Sequence, residues 1–152
     1  MFDNDSSQAK LGRAGETIVL NYFNRKGVVV ESSVDQYDSQ KDMLVKGKKI
    51  EVKTQVPFVS KDSFSFKRNQ LAKCLTVDWV FFVSVPNEKR KHYSAGKVYA
   101  IEAKNLQYSG HETKDGRKMI LVPIKQEGMR ELFSLTEEEC KILQKYSVSD
   151  WN

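Results

Sequence analysis

One short stretch of this chain gathers most of the groups able to do chemistry. It runs Lys41-Asp42-Met43-Leu44-Val45-Lys46-Gly47-Lys48-Lys49-Ile50-Glu51-Val52-Lys53-Thr54-Gln55. Lys46-Gly47 reads as a two-residue turn between β-prone segments, which predicts a hairpin of Asp42–Val45 with Lys48–Val56. Val45 then pairs with Lys48, and counting outward sets Asp42 opposite Glu51. Directly opposed residues have Cβ atoms about 4.5–5.5 Å apart. Two carboxylates at that separation repel unless a cation lies between them, and hard oxygen ligands suit Mg²⁺ or Mn²⁺. Strand alternation puts Glu51, Lys53 and Gln55 on one face and Ile50, Val52, Thr54 and Val56 on the other. A metal and the Lys53 ammonium would converge on one point, where they could stabilise the added negative charge of a pentacovalent phosphorus.

The Glu-x-Lys triplet alone says little. It occurs at Glu51/Lys53, Glu102/Lys104, Glu112/Lys114 and Glu139/Lys141. The last falls in a helical segment, where residues two apart do not share a face. The Glu112 copy sits in a polar loop, and the Glu102 copy has no Asp across a short hairpin. Context selects Glu51 and Lys53.

The elements that must position these groups follow from pattern. Residues 7–26 predict a helix, with Ser6 or Ser7 as cap and Gly27 as terminator. Leu11, Gly15, Ile18 and Tyr22 form one stripe of it; Gly12, Glu16, Val19 and Phe23 form the next. Glu16 is thus an acid among largely apolar neighbours. Val28 to Val34 reads as a strand and Tyr37 to Lys41 as a polar turn. After the hairpin, Ser65 to Leu75 predicts a short helix carrying Lys67, Arg68 and Lys73. Asp78 to Val85, with Trp79-Val80-Phe81-Phe82-Val83, is the strongest buried-strand signal. Strands over Lys97 to Ala103 and Arg117 to Ile124 follow. A helix over 134–146 has the capping-box pair Thr136 and Glu139 at its start.

The chain has 152 residues, which fits one domain, a core over about 7–86 and an extension over about 87–152. With 39% hydrophobic and 11% aromatic residues it can bury a core and is not disordered. No stretch approaches the roughly 18–20 apolar residues of a spanning helix, and polar Met1 to Lys10 does not read as a signal peptide. Cys74 and Cys140 have neither zinc spacing nor a disulfide framework; both fall in helical, core-like contexts. The expectation is a cytoplasmic, reducing compartment with no membrane partner. Net charge is +5, distributed as −2 over residues 1–40, +8 over 41–100 and −1 over 101–152. Positive charge concentrated in the middle points to a polyanion partner, nucleic acid first.

The order helix, three strands, helix, strand, with Asp42 and Glu51-Val52-Lys53, resembles the PD-(D/E)xK nuclease superfamily over roughly residues 7–86. Gly12 and Glu16 on the first helix, with Asp42, Glu51, Lys53 and Gln55, are most similar to archaeal-type Holliday-junction resolvases and related small phage nucleases. Lys41 stands where proline often precedes the Asp. The resemblance implies an α/β fold: a restriction-endonuclease-like αβββαβ core with a central mixed sheet flanked by helices, plus a C-terminal strand and helix extension. It implies one- or two-metal phosphodiester hydrolysis, with Asp42, Glu51 and the Val52 carbonyl as ligands. Glu16 would join directly or through water, Lys53 would position or activate the attacking water, and Gln55 completes the motif.

Other catalytic classes fit poorly. His92 and His111 lie in separate polar loops, and the scattered glycines form no phosphate loop. Phe58, Phe64 and Phe66 read as aromatic core. Lys67, Arg68 and Lys73 would contact phosphates near the site, and Lys89-Arg90-Lys91 would form a basic arm in the Pro86 to Gly96 loop. Such contacts position rather than read sequence. The expectation is a Mg²⁺- or Mn²⁺-dependent DNA endonuclease acting on branched DNA as a homodimer, since one site cuts one strand and a four-way junction needs two symmetric cuts. The alternatives are a restriction-like, homing or repair endonuclease on the same fold, and a non-catalytic nucleic-acid-binding protein. The two sets of basic residues should fail differently. Lys53→Ala should lower the saturated single-turnover rate by roughly a hundred- to thousand-fold. Neutralising Lys89, Arg90 and Lys91 together should reduce the salt slope of log K by up to about 3 and spare that rate. DNA binding and cleavage across a salt series check both; the reverse pattern would refute the division.

Overall fold

The first helix, α1 (Ser7–Arg25), buries Leu11, Gly15, Ile18 and Val19. Its end is a Schellman motif: the Val28 amide donates to the Phe23 carbonyl at 2.9 Å and the Gly27 amide to Asn24 at 3.0 Å. Gly27 takes φ 73°, which glycine adopts without a Cβ penalty. The computed structural model describes residues 7–32, 43–58, 62–87, 93–112 and 114–148.

Nine strands occur among these residues: β1 (Val30–Ser32), β2 (Met43–Val45), β3 (Lys48–Gln55), β4 (Ser63–Phe66), β5 (Trp79–Ser84), β6 (Lys97–Glu102), β7 (Ser109–Glu112), β8 (Lys118–Pro123) and β9 (Arg130–Ser134). Helix α2 (Arg68–Cys74) lies between β4 and β5, and α3 (Glu137–Val148) follows β9. The central sheet has the order β1-β2-β3-β5-β6-β9, and a smaller one the order β4-β8-β7. The central sheet is mixed: β3 and β5 run parallel and its other neighbours antiparallel. The protein is therefore a mixed α/β fold. The segment after β5 is woven into both sheets, because β6 and β9 extend the central one while β8 pairs with β4.

Strand alternation sorts the apolar residues into two cores. Ile50, Val52, Phe81, Val83, Val98 and Ala100 face α1 and α3 with Leu11, Ile18, Val19 and Leu143. Val80, Phe82, Tyr99 and Ile101 face the opposite way, against Phe64, Phe66, Leu71, Cys74 and Val122 of the small sheet and α2. Phe64 and Phe66 are core, as expected, and Phe58 is half-buried with its ring edge-on to His111.

The predicted hairpin forms with its predicted register: Val45 pairs with Lys48, Leu44 with Lys49 and Met43 with Ile50. Lys46 and Gly47 both take positive φ, 51° and 78°, the backbone a tight hairpin turn of this twist requires. The capping box of α3 also forms: the Thr136 amide donates to Glu139 Oε1 at 2.8 Å and the Glu139 amide to Thr136 Oγ1 at 3.1 Å.

The expected helix over Ser65 to Leu75 is corrected. Ser65 and Phe66 belong to β4, and α2 starts only at Arg68. Phe64 and Phe66 recur with period two, and their packing against β8 decides the strand. Lys67 is extended, and its amide donates to Gln70 Oε1 at 2.9 Å at the helix start. The last helix begins at Glu137, because Ser134 ends β9. The described part of the first strand begins at Val30; Val34 and the turn at 37–41 lie outside the described residues. Strands β7 and β9 had no counterpart in the sequence reading.

α1 lies so close to β3 that a Cβ built on Gly15 would come 1.8 Å from Thr54 Oγ1. Thr54 Oγ1 is itself buried and has no hydrogen-bond partner among the described residues. Gly15→Ala should therefore overpack this contact and destabilise the fold by about 1–3 kcal/mol. Thr54→Ala removes the nearest obstructing atom and an unsatisfied hydroxyl, so it should cost little alone and recover part of the Gly15→Ala loss. Denaturant unfolding of the two single variants and the double variant checks this; strict additivity would show that the contact does not matter.

Candidate active site

Glu51 is the centre of the site. It lies mid-strand on β3, facing the small-sheet layer, and only 8% of its surface is exposed. An isolated carboxylate in such a place costs several kcal/mol. Two ammonium groups compensate it: Lys53 Nζ lies 3.8 Å from Oε1 and Lys73 Nζ lies 3.5 Å from Oε2. Oε2 has no hydrogen-bond donor among the described residues. It is held by charge rather than by a directed bond.

Lys53 is two residues along the same strand and shares the Glu51 face, as alternation requires. Its ammonium stands 6.0 Å from the centre of the Phe66 ring on β4. Lys73 arrives from α2, where it sits between the buried anchors Leu71 and Cys74. The sequence points Lys73 to phosphate contacts beside the site; the fold sets it directly on Glu51. That placement had one signal in the sequence. A residue flanked by both apolar anchors of a short helix cannot point wholly to solvent. Cys74 forms part of the wall, and burial pushes its thiol up to about 11, with Lys53 and Lys73 opposing the rise and Glu51 adding to it. It is a packing residue, not a nucleophile.

Glu16 joins from the other side of the sheet. It retains contact with solvent on α1, yet its carboxyl is held above the usual carboxylate range. Partial burial is the main cause and the charge of Glu51 the second; Lys73, Lys53 and Arg13 pull the other way. The close approach of Gly15 to Thr54 is what delivers the neighbouring Glu16 to β3. One turn earlier, Gly12 has open space where a Cβ would stand.

Gln55 shares the strand face but is turned to a different partner. The Ser65 amide donates to its Oε1 at 2.7 Å, and its Nε2 donates to the Ser65 carbonyl at 3.1 Å. The side-chain amide thus acts as a strand neighbour, clamping β4 to the end of β3.

Val52 buries its side chain towards α1, so only its backbone can serve the site. The Lys49 and Gln55 carbonyls accept bonds from Asp78 and Val85, on the β5 side. Alternation turns the Val52 carbonyl the other way, towards the β2 side of β3. The described part of β2 stops at Met43, opposite Ile50. Asp42, one residue earlier, lies outside the described residues, as do Lys89, Arg90, Lys91 and His92. Lys67 and Arg68 are exposed at the start of α2.

Two carboxylates and an outward carbonyl make an oxygen donor set that fits a hard divalent cation. Among the described residues no group of three or more His, Cys, Asp or Glu side chains converges, so a complete cation site needs a further ligand. The Glu102/Lys104 copy runs from the end of β6 into a 3-10 turn and is a surface pair: Lys104 lies 3.4 Å from Glu102 and its side chain is 76% exposed. Among the described residues no helix is long and apolar enough to cross a membrane. Comparison with protein-family models, curated proteins and solved structures gives no match for this chain.

The raised carboxyl has a pH consequence. Ionising Glu16 costs the folded state, so the penalty is absent below the usual carboxylate pKa and grows as pH rises through the elevated value. Glu16→Gln should match the wild type in thermal stability at about pH 4 and exceed it increasingly towards about pH 8 in metal-free buffer. Melting curves across that range check the sign; a gap that is constant with pH would show that Glu16 titrates normally.

Proposed function

We propose that this protein is a Mg²⁺- or Mn²⁺-dependent DNA endonuclease that hydrolyses phosphodiester bonds, with branched DNA as substrate and a homodimer as the working form. The observation that carries the reading is the meeting of Glu51, Lys53 and Glu16. Residues from two elements far apart in sequence put the Glu16 carboxylate within electrostatic reach of the Glu51–Lys53 pair on the central strand, where Glu51 is nearly out of water. A structural ion pair needs one acid and one base. A second acid, its pKa raised by partial burial and then by the charge of the first, is the arrangement a divalent cation relieves.

The fold supports the same reading. α1 is followed by the antiparallel β1-β2-β3 meander, then by α2 and a strand parallel to β3. That order would suit an αβββαβ restriction-endonuclease-like core, with β4 as an insertion before α2. Asp42 would enter opposite Glu51 by continuing the observed register. Glu51, Asp42 and the Val52 carbonyl would hold the cation, and Glu16 would complete the set directly or through water. The bound metal would supply a polarised water and charge neutralisation. Lys53 then holds its ammonium where the pentacovalent phosphorus gathers charge, and the ring of Phe66 limits where it can swing. Gln55 fixes β4, and with it Phe66, so its contribution is positional. Lys67 and Arg68 project from α2 to take phosphates flanking the cut, with Lys89, Arg90 and Lys91 adding contacts further away.

One observation favours a second reading. Glu51 is already met by two ammonium groups, as the carboxylate of a purely structural network would be. That reading makes the protein a nucleic-acid-binding protein without catalysis, and metal dependence separates the two.

The test is incubation with Mg²⁺ and a panel of four-way junction, flap, linear duplex and single strand. Cleavage of the junction in preference to linear duplex is expected. Asp42→Asn and Glu51→Ala should each lower the rate at least about a hundredfold while DNA binding persists. Ca²⁺, with longer bonds and more ligands, should support binding with little cutting. Full activity of both variants in Mg²⁺ would overturn the site, and binding without cleavage of any substrate would favour the second reading.

A further inference from the structure

Resting on the nucleic-acid part of that reading, we infer that Tyr93, Lys97 and Lys125 form a second DNA contact, where an unpaired base stacks on the tyrosine ring and the two ammonium groups take flanking phosphates. Tyr93 leaves 68% of its surface in water. Two lysines converge on its ring: Lys97 Nζ lies 5.0 Å and Lys125 Nζ 5.3 Å from the ring centre. They come from different elements, β6 and the chain just after β8. Two acids stand nearby, and both are engaged. Glu131 is bridged to Lys97 at 3.2 Å, and both carboxylate oxygens of Asp62 accept from Ser94. The result is an exposed aromatic face flanked by positive charge, which is complementary to a base and its phosphates.

The ring is exposed, but its backbone is anchored. Ser94, the next residue, is fully buried: its amide donates to Asp62 Oδ2 at 2.8 Å, its hydroxyl donates to Asp62 Oδ1, and it meets the equally buried Ser84 hydroxyl at 2.9 Å. The Gly96 amide donates to the Ser84 carbonyl at 2.9 Å. An aromatic held on a fixed backbone takes a flat partner with little ordering cost. The platform also lies on the face of the candidate site. Lys97 pairs with Ser84, and Ser84 with Gln55. Alternation sets Lys97 with Tyr99 and Ile101, on the face of the central sheet that carries Glu51 and Lys53. Gln55 is four residues beyond Glu51 on β3, so strand geometry puts the Lys97 backbone about 16 Å from that of Glu51. A strand stacked at about 3.4 Å per nucleotide covers that distance in about five nucleotides, so one DNA molecule can reach both. A base inside a duplex is covered by its neighbours, and only an unpaired base offers a free face to the ring. Branched DNA supplies such a base beside a paired region.

The experiment measures binding by fluorescence anisotropy, across a salt series, to a forked duplex with oligothymidine arms and to a fully paired duplex of the same length. Both are measured in EDTA, so the outcome does not depend on whether the protein cuts DNA in Mg²⁺. Unfolding curves verify that each variant is folded. Tyr93→Ala should weaken binding to the fork at least about fivefold and to the paired duplex less than about twofold. Tyr93→Trp should keep the affinity for the fork, and the fork should quench its fluorescence beyond any change seen in the wild type. Lys125→Met should lower the salt slope of log K for the fork by roughly 0.7–1. A Tyr93→Ala protein that loses equally on both DNAs, or on neither, would overturn the stacking platform and leave the rest of the nucleic-acid reading standing. A wild type that binds neither DNA would overturn that reading and this inference with it.

Discussion

The structure is organised around one buried carboxylate. Glu51 sits at the middle of the central strand with its side chain between two layers, where little water reaches it. Its neighbours on that face must therefore supply positive charge. β3 supplies one ammonium through simple alternation, Lys53. The second has to come from another element, and Lys73 brings it from α2. This fixes where α2 must lie: Leu71 and Cys74 bury into the same layer and hold Lys73 over the strand. Removing one partner of such a network leaves an uncompensated charge and costs about 3–5 kcal/mol, so helix, strand and carboxylate are mutually dependent.

The parallel pairing of β3 and β5 enforces the same geometry. A parallel pair needs a crossover, and the chain makes it through β4 and α2 on the Glu51 face. Asp78 closes the start of the pair: its carboxylate accepts from the Lys49 amide at 2.8 Å, and its own amide donates to the Lys49 carbonyl at 2.9 Å. At the far end Gln55 fastens β4 by its side-chain amide. The crossover is thus tied at both ends of β3. On the opposite face α1 is drawn in by Leu11, Ile18 and Val19, and the missing side chain at Gly15 allows close approach. Glu16 is the consequence. It stands within the field of Glu51, and its pKa is raised by partial burial first and by the charge of Glu51 second.

That conflict is where physical consistency breaks. Two acids within each other's field, with a buried hydroxyl on Thr54 unpaired among the described residues, are not what packing alone would select. The apolar layers on both sides show no such compromise. Ionic strain is thus confined to one point of a well-packed sheet.

The sequence by itself determined the parts governed by local interactions. The turn at Lys46-Gly47 fixed the register of β2 on β3, because positive φ at both positions permits only a tight turn of one twist. That register and period-two alternation placed Glu51, Lys53 and Gln55 on one face. Gly27 and the Thr136–Glu139 pair likewise marked helix ends through bonds spanning a few residues. Only the tertiary structure decided the rest. Ser63–Phe66 became a strand because β8, far along the chain, offered Val122 and Ile120 to its two phenylalanines. Gln55 became a clamp because Ser65 then lay beside it. Lys73 became a site residue, and Glu16 acquired its raised pKa, because packing brought α2 and α1 to β3 from opposite faces. Charge acts across space, and a one-dimensional pattern carries no record of which distant groups will share a dielectric.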